Sequence, residues 1–278
     1  VLGGVGAAGG GFVDAGTLAA RYGGAGRSGP GNAVEHAAGD RDWAFGHVVV
    51  DEAQDLSPMA WRCLVRRCPS RSMTVVGDLA QAGRAWSPST WKEVLEDTAP
   101  GQWRVEELTI GYRTPAEVMV IAGDVLERVD PSLVPPRAIR TAGVPARVRP
   151  VPAGRPVAEA VLTAVTDERG ALGEGQIAVL TPDPRTADAL RAALTGELPG
   201  RVAPAAAPEP GAEVVVLPVA AGKGLEFDAV ILVDPAAVLA SGPRGGNDLY
   251  VALTRTTNRL LVLCPGAVPD VLARLTPG

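Results

Sequence analysis

Short apolar runs, separated by helix-length amphipathic segments, are the feature that most constrains the fold of this 278-residue chain. The strands predicted from these runs are HVVV, MTVV, QIAVL, EVVVLPV, AVILVD and RLLVLC. Because the runs are apolar at consecutive rather than alternate positions, each strand needs cover on both faces. Such strands alternating with helices indicate an α/β fold with a parallel sheet between layers of helices.

Two patterns predict where helices begin. Ser57 followed by Pro58 is typical of an N-cap with proline at the first helical position. Thr114, Pro115 and Glu117 have the capping-box spacing, again with proline at the first helical position. The helix that follows has a predicted apolar face of Val118, Ile121, Ala122 and Val125. Further helices are predicted over VAEAVLTAV, TADALRAAL and NDLYVALTRTT.

Composition divides the chain into three predicted parts. They are residues 1–42, 43–106 and 107–278. The first is rich in glycine and alanine, and only a short helix near Gly16–Tyr22 is predicted there. A boundary near residues 100–108 separates part of one α/β unit from a more complete second unit, which contains a proline-rich connector over residues 129–156. The opening on Val1 within a Gly/Ala run indicates a piece of a longer protein.

The composition is that of a globular protein and excludes several classes. No apolar run reaches the ~18 residues of a transmembrane helix, and the N-terminus lacks the features of a signal peptide. Two histidines are too few to complete a zinc site. Cys63, Cys68 and Cys264 form no CxxC pair and no even disulfide set, which predicts small core residues in a reducing cytoplasm. A net charge of −5 excludes a generally basic surface but allows a local basic groove.

The first predicted strand stops on two carboxylates, Asp51 and Glu52. Since the carboxyl ends of parallel strands face the ligand crevice, we expect these side chains to point at a substrate. An Asp at that edge can hold Mg²⁺ through water, and a neighbouring Glu can orient or deprotonate an attacking water. On its own the pair favours a plain solvated strand end, so the interpretation depends on what accompanies it.

Further polar side chains stand at the edges of other predicted elements. Gln81 follows the next strand by one turn, where a glutamine amide can orient an attacking water. Arg113 lies at a strand–helix junction, and Arg255 lies near the end of a helix. Glu226 lies in a glycine-flanked turn that enters a strand. A metal-binding acid, a base, a glutamine and two arginines at element edges indicate phosphoryl transfer.

Five motifs of the chain resemble, in order, motifs II to VI of superfamily 1 helicases of the UvrD/Rep type. They are VVVDEAQD, VVGDLAQ with the later Trp86, LTIGYRTP, GKGLEFDAVIL and LYVALTRTTNRLLVL, and the resemblance runs from about residue 47 to residue 263. Each motif alone is moderately specific, whereas five in the family's order are highly specific. Two stretches, VVLPVAAGKGLEFD and CPSRSMTVVGDLAQ, are most similar to HelD-type factors, which bind and recycle bacterial RNA polymerase. The resemblance implies the second half of one RecA-like domain, followed by a second RecA-like domain.

The resemblance also implies catalytic roles. Asp51 would hold Mg²⁺, and Glu52 would be the catalytic base. Gln81 would couple the γ-phosphate to the nucleic-acid side. Arg113 and Arg255 would contact the γ-phosphate as arginine fingers.

The same resemblance implies which residues would face the nucleotide and which would face the nucleic acid. Lys223, Gly224 and Glu226 would line the nucleotide site, with Glu226 on the ribose. Trp86 would lie where family helicases stack a base, and a packed core aromatic is the alternative for it. The implied cofactors are ATP and Mg²⁺ in the complete protein. The implied partners are nucleic acid, bacterial RNA polymerase, or both.

The chain departs from the family at the phosphate-binding loop. The Walker A pattern G-x-x-x-x-G-K-[ST] fails at its one candidate, Lys223. Leu217 stands where the pattern requires a glycine, and Gly224 stands where it requires Ser or Thr. We therefore expect no helicase-like ATPase activity from this chain alone, with the missing ATPase segment supplied in cis or in trans.

A second departure concerns the residues that the family places against nucleic acid. Pro218 and Ala220 replace the Thr and His that the family uses on the DNA backbone, and Arg84 replaces an aromatic residue. We therefore predict part of a UvrD/Rep-like ATP-driven helicase or translocase motor, with HelD-like remodelling of RNA polymerase. The alternatives are a DNA-repair helicase and a non-catalytic, truncated module that binds polymerase or nucleic acid.

Overall fold

The strands in the described part of the chain form one large sheet and two small ones. The computed structural model describes residues 44–204 and 212–278. The strands are β1 (Val48–Val50), β2 (Met73–Val75), β3 (Ile110–Gly111), β4 (Arg137–Ala138), β5 (Arg147–Pro150), β6 (Ile177–Thr181), β7 (Val214–Pro218), β8 (Phe227–Val233), β9 (Thr256–Cys264) and β10 (Thr276–Pro277). The large sheet has the order β10-β5-β9-β8-β6-β7, and each neighbouring pair in it is parallel.

Helices cover both faces of the large sheet. The described helices are α1 (Pro58–Arg67), α2 (Trp91–Thr98), α3 (Ala116–Val129), α4 (Val157–Leu172), α5 (Pro184–Glu197), α6 (Pro235–Leu239) and α7 (Gly245–Thr254), of which α1 and α2 pack on the β1–β2 sheet instead. In β6, Ala178 and Leu180 pack into the core that contains α3 and α7, whereas Ile177 and Val179 pack into the core that contains α4 and α5. Since successive strand residues point to opposite faces, a continuously apolar strand requires both helix layers. The predicted α/β fold with a parallel sheet between two helix layers is therefore confirmed, and its RecA-like assignment stays a prediction.

Two small parallel sheets precede the large sheet in the chain. β1 pairs with β2, and β3 pairs with β4. The β1–β2 sheet has a core of its own, formed by Val50, Ala53 and Trp61. Residues 45–278 together make up one compact unit. The boundary near residues 100–108 would separate the β1–β2 sheet from the other two sheets, and it stays a prediction.

The predicted start of α1 is confirmed. Ser57 Oγ accepts a hydrogen bond from the Ala60 N–H at 3.2 Å, and Pro58 occupies the first helical position. The predicted apolar face of α3 is also confirmed, since its four residues are buried: Val118, Ile121, Ala122 and Val125.

The predicted capping box of α3 is wrong. The helix begins at Ala116 and has no side-chain cap. Thr114 Oγ1 instead donates to the Thr254 carbonyl at 3.3 Å, and the Glu117 carboxylate accepts the N–H groups of residues 142–143. Both side chains are thus engaged by distant segments, which a local spacing pattern does not register.

The segment 129–156 and the three cysteines agree only in part with the predictions. The connector predicted over residues 129–156 contains β4 and β5, and β5 is an interior strand of the large sheet, so that prediction is wrong in part. Cys68 and Cys264 are buried as predicted. Cys63 is exposed, contrary to prediction, because it lies two positions after the buried Trp61 on α1 and faces away from it.

Two further expectations concern the ends of the chain and membranes. The short helix predicted near Gly16–Tyr22 lies outside the described residues. Across the two described ranges, none of the helices combines the length and the apolarity needed to cross a bilayer.

Candidate functional site

Asp51 and Glu52 stand at the carboxyl end of β1, beside the end of β2. The Val76 N–H donates to the Val50 carbonyl at 2.8 Å, and the Ala53 N–H donates to the Val76 carbonyl at 3.1 Å. Glu52 has φ 51° and ψ 38°, a left-handed conformation that residues with a β-carbon rarely adopt. Its N–H donates to Asp51 Oδ1 at 2.8 Å. This turn ends β1 and leaves both carboxylates exposed at the edge of the small sheet.

Gln54 is a site residue that the sequence patterns did not single out. It is fully buried; its Nε2 donates to Glu52 Oε2 at 2.6 Å, and its Oε1 accepts the Asp78 N–H at 3.0 Å. Gly77 makes room for it, because a β-carbon there would lie 2.6 Å from Gln54 Oε1 and 2.6 Å from the Trp91 ring. Gln54 therefore fixes the Glu52 carboxylate to the end of β2. Gln54 lies within the VVVDEAQD motif, but its burial and its two hydrogen bonds, which make it a site residue, cannot be read from motif spacing.

Gln81 connects the segment after β2 to the end of α7. Its Nε2 donates to Asp78 Oδ2 at 2.9 Å, and its Oε1 accepts from Arg255 Nη2 at 3.1 Å. Asp78 Oδ1 also accepts the Ala80 N–H at 2.9 Å. Because an amide donates only from nitrogen and accepts only at oxygen, the two partners fix its orientation. Two of the predicted catalytic residues, Gln81 and Arg255, are thereby brought into contact.

Arg255 follows the last residue of α7 and is 8% exposed. Its other N–H groups include donors to the Val251 carbonyl at 3.2 Å and the Leu225 carbonyl at 3.3 Å. Burial lowers the pKa of Arg255, and the nearby carboxylates of Glu226 and Glu52 oppose that shift. Arginine keeps its charge in proteins, so a fixed cation lies near the carboxylates of Glu52 and Glu226.

The loop between β7 and β8 faces Glu52. Gly224 has φ 72°, and a β-carbon there would lie 4.0 Å from Glu52 Oε1. Lys223 Nζ donates to the Gln81 carbonyl at 2.8 Å and pairs with Asp55 Oδ2 at 3.3 Å. The loop predicted to line the nucleotide site is therefore close to the predicted base, while its lysine is engaged by protein groups.

Arg113 joins the site through Glu226 rather than through Gln81. Arg113 Nη1 lies 2.8 Å from Glu226 Oε1, and the two side chains are 76% and 35% exposed. An ion pair this exposed contributes about 0–1 kcal/mol, so a stronger anionic partner could displace it.

Trp86 presents a half-exposed indole ring beside this site. It is 50% exposed, so the packed-core alternative is wrong. Its Nε1 donates to the Asp55 carbonyl at 3.1 Å, and the Arg84 guanidinium lies 6.0 Å from the ring centroid. The indole is thus held in one orientation with part of its surface open to solvent.

The side chains of the site fit only part of a Mg²⁺–nucleotide complex. Mg²⁺ takes one or two protein carboxylates and completes its shell with water and substrate phosphates. Asp51 fits that role, and in the described ranges no group of three or more His, Cys, Asp or Glu side chains could hold a metal. Lys223 does not fit a phosphate ligand, because its ammonium group is engaged by Asp55 and by the Gln81 carbonyl. The described side chains therefore fit a metal ligand at Asp51 and do not fit a phosphate ligand at Lys223.

Comparisons with known proteins return low similarities. No protein-family model matches the chain, and no curated protein matches it significantly. The C-terminal domain of a possible DNA helicase from Lactobacillus plantarum WCFS1 is 20% identical over 59% of this chain and 94% of that domain, with a TM-score of 0.45. The arterivirus nonstructural protein 10 helicase is 17% identical alone and 16% identical in its DNA complex, with TM-scores of 0.40 and 0.44.

Each arterivirus match covers 83% of this chain and 41% of the viral helicase, so the chain spans less than half of that protein. All of these identities are below 25%, and all of these TM-scores are below 0.5. The function proposed below therefore depends on the geometry of the site and on the motifs.

Proposed function

We propose that this chain belongs to an ATP-driven motor of the superfamily 1 helicase type. In that motor it would supply the residues that activate the attacking water and those that respond to the γ-phosphate. The main support is a continuous path of hydrogen bonds from Glu52 through Gln54 and Asp78 to Gln81 and Arg255. A candidate base and a buried cation thus stand at the two ends of one fixed network. Phosphoryl transfer depends on positioning and on charge stabilisation of this kind.

Each side chain has a role in this proposal. Mg²⁺ at Asp51 would neutralise phosphate charge and order water when a nucleotide is bound. Glu52, held by Gln54, would orient or deprotonate the attacking water. Arg255 would stabilise negative charge on the transferred group, and Arg113 would join it after leaving Glu226.

The β-phosphate side of the nucleotide requires residues that the described site does not supply. Lys223 is engaged by Asp55 and by the Gln81 carbonyl, and the sequence contains no Walker A pattern. We therefore expect the phosphate-cradling segment to be supplied in cis or in trans. Steady-state ATPase of the purified 278-residue chain should stay below the usual enzyme range of about 1–10³ s⁻¹.

The decisive experiment compares Glu52→Gln with wild type in a complete protein that has a phosphate-cradling loop. ATP affinity should be kept, while turnover should fall ~10²–10⁴-fold, which is the usual contribution of a general base. Undiminished turnover in Glu52→Gln would remove Glu52 from the proposed role. Turnover by the 278-residue chain alone, abolished by the same substitution, would show that no further segment is needed.

The nucleic acid in this proposal is single-stranded, and one of its bases would stack on the Trp86 ring. Support comes from the exposed, oriented ring with an arginine close to it, since bases stack on aromatic rings and arginine adds cation–π attraction. Trp86→Ala should weaken binding of an oligo-dT by about 1–3 kcal/mol, which fluorescence anisotropy measures. Trp103 is half-buried and its Nε1 donates to Glu96 Oε2 at 2.9 Å, so Trp103→Ala is the control for loss of an indole elsewhere on the chain. Equal affinity in both variants would exclude Trp86.

The second candidate is HelD-like remodelling of RNA polymerase, in place of unwinding by a repair helicase. It is favoured by Arg84, whose guanidinium lies by the Trp86 ring where the family has an aromatic residue. Pro218 and Ala220 favour it as well. Pull-down with core RNA polymerase and gel shift with forked DNA, both at one salt concentration, separate the candidates, because salt alone changes DNA affinity by orders of magnitude. Unwinding of DNA without polymerase binding would favour a repair helicase. Polymerase binding without ATP turnover would favour a non-catalytic module.

A further inference from the structure

Lys223 is held by two segments that lie far from it in the sequence. Its Nζ donates to the Gln81 carbonyl at 2.8 Å and to Asp55 Oδ2 at 3.3 Å, and its side chain is 19% exposed. The other lysine of the chain, Lys92, is exposed on α2. Lys223 therefore ties the β7–β8 loop to the segments that follow β1 and β2.

Gly83 shows how closely the main chain approaches this ammonium group. A β-carbon at Gly83 would lie 2.3 Å from Lys223 Nζ and 3.3 Å from Asp248 Oδ1. The flexible lysine would have to move aside to accommodate it. Gly83→Ala would therefore displace the ammonium group without removing its charge.

Two carboxylates surround the same ammonium group. Asp55 pairs with it directly, and Asp248 approaches it from α7. Burial raises the pKa of Asp248; the Lys223 charge opposes that shift, and Asp55 adds to it. The Lys223 charge therefore offsets the repulsion between these two carboxylates.

We propose that Lys223 is a positioning residue that sets Gln81 for its hydrogen bond to Arg255, rather than a phosphate ligand. Lys223 holds the Gln81 carbonyl, while the amide of the same residue bridges Asp78 and Arg255. The bond from Arg255 to Gln81 is 3.1 Å long, near the upper end for N–H···O bonds, so a small rotation of Gln81 breaks it. This inference rests on the proposed function, in which Gln81 and Arg255 belong to one hydrogen-bond network with Glu52.

The test uses the 278-residue chain with Lys223→Met and Gly83→Ala, and with Lys92→Met as the control for loss of an exposed lysine. One measurement is the rate at which phenylglyoxal modifies Arg255, followed by peptide mass spectrometry. The other is amide hydrogen exchange over residues 79–83. Both rates should rise roughly tenfold in the first two variants and stay at the wild-type value in Lys92→Met, since hydrogen bonds to charged groups can account for a change of that size. Lys223→Arg, which keeps a cation at the position, should restore part of the protection.

The outcomes separate the positioning role from the proposed function. Protection of Arg255 in Lys223→Met equal to that in Lys92→Met would overturn the positioning role. Neither measurement involves ATP, so a failure of ATP hydrolysis in the complete protein would count against the proposed function alone. If Lys223→Met no longer unfolds cooperatively in urea, the protection of Arg255 in Gly83→Ala is the deciding measurement, because that variant retains the lysine. In a complete protein that hydrolyses ATP, Lys223→Met should lower kcat and leave KM within about twofold, as expected when only a transition-state interaction is lost.

Discussion

Arg255 Nη2 donates to Gln81 Oε1 at 3.1 Å, a hydrogen bond that spans 174 positions of the chain. It joins the segment after β2 to the end of α7, and so joins two of the five helicase-like motifs. Both partners are fixed by further bonds, Gln81 by Asp78 and Arg255 by two main-chain carbonyls. The contact is therefore part of the folded architecture before any ligand binds.

Arg255→Lys should keep the charge at this position and lose the forked set of donors. In a complete protein that hydrolyses ATP, we expect turnover to fall by roughly 10³-fold or more, the contribution known for arginine fingers. The measurement is steady-state ATPase, with Arg274→Lys as control. Arg274 is exposed and pairs with Asp124, so its replacement should change turnover by less than about twofold. Equal turnover in the two variants would contradict the role given to Arg255.

Gln54→Met should lower the stability of the β1–β2 region. The substitution keeps the length of the side chain, removes the donor to Glu52 and leaves the Asp78 N–H without its acceptor. We expect the free energy of unfolding to fall by about 1–3 kcal/mol, the cost of an unsatisfied buried polar group. Urea denaturation measures it. Gln102→Met, at an exposed position, should change stability by less than about 0.5 kcal/mol, and a similar loss in both would disprove the assignment.

Asp248→Asn should change stability in a pH-dependent way. The pKa of Asp248 is raised in the folded protein, chiefly by burial, with Lys223 opposing and Asp55 adding to the shift. Its protonated form therefore favours folding, and that contribution is fully present below the ordinary pKa of ~3.9 and is lost as pH rises through the raised pKa. Asparagine does not ionise, so the variant should match wild type near pH 3 and be more stable at pH 7.

Urea denaturation at the two pH values tests this expectation. The control is Asp97→Asn, at an exposed position of α2, whose stability relative to wild type should be the same at both pH values. A variant less stable than wild type at pH 7 would mean that the attraction between Asp248 and Lys223 outweighs the cost of burial.

Glu168→Gln should be strongly destabilising. Glu168 on α4 is 1% exposed and pairs with Arg147 on β5 and with Arg259 on β9. Removing one partner of a buried charge cluster typically costs about 3–5 kcal/mol, because the remaining charges stay buried without compensation. The exposed i,i+4 pair of Arg155 and Glu159 gives the control, and Glu159→Gln should cost at most about 0.5 kcal/mol in the same urea titration. A small effect of Glu168→Gln would show that the arginines find other partners.

The interior of the large sheet was predictable because burial on both faces leaves a direct mark on the sequence. β6 and β8 are apolar at nearly every position, as such strands must be. β5 was missed for the converse reason. Its residues Arg147 and Arg149 are charged and are neutralised by acids of α4, Glu168 and Asp167. Charges paired across elements resemble loop residues when only neighbouring positions are considered.

The candidate site was predictable at the level of residue types and not at the level of contacts. Asp51 and Glu52 stand out because carboxylates follow an apolar strand, and Gln81 stands out by its place after the next one. Gln54 did not stand out, because its importance lies in burial and in two hydrogen bonds. The Lys223 contact to Asp55 spans 168 positions, and sequence spacing has no means of expressing it.

Gly77 places a limit on how this sequence can diverge. Gln54 and the Trp91 ring both occupy the space that any side chain at position 77 would need. Replacement of Gly77 therefore requires a smaller residue at 91, a different residue at 54, or both. Among distant relatives, positions 54, 77 and 91 should change together rather than one at a time. That linked variation would give a search for such relatives a signature reaching beyond the five motifs, since Trp91 lies outside all of them.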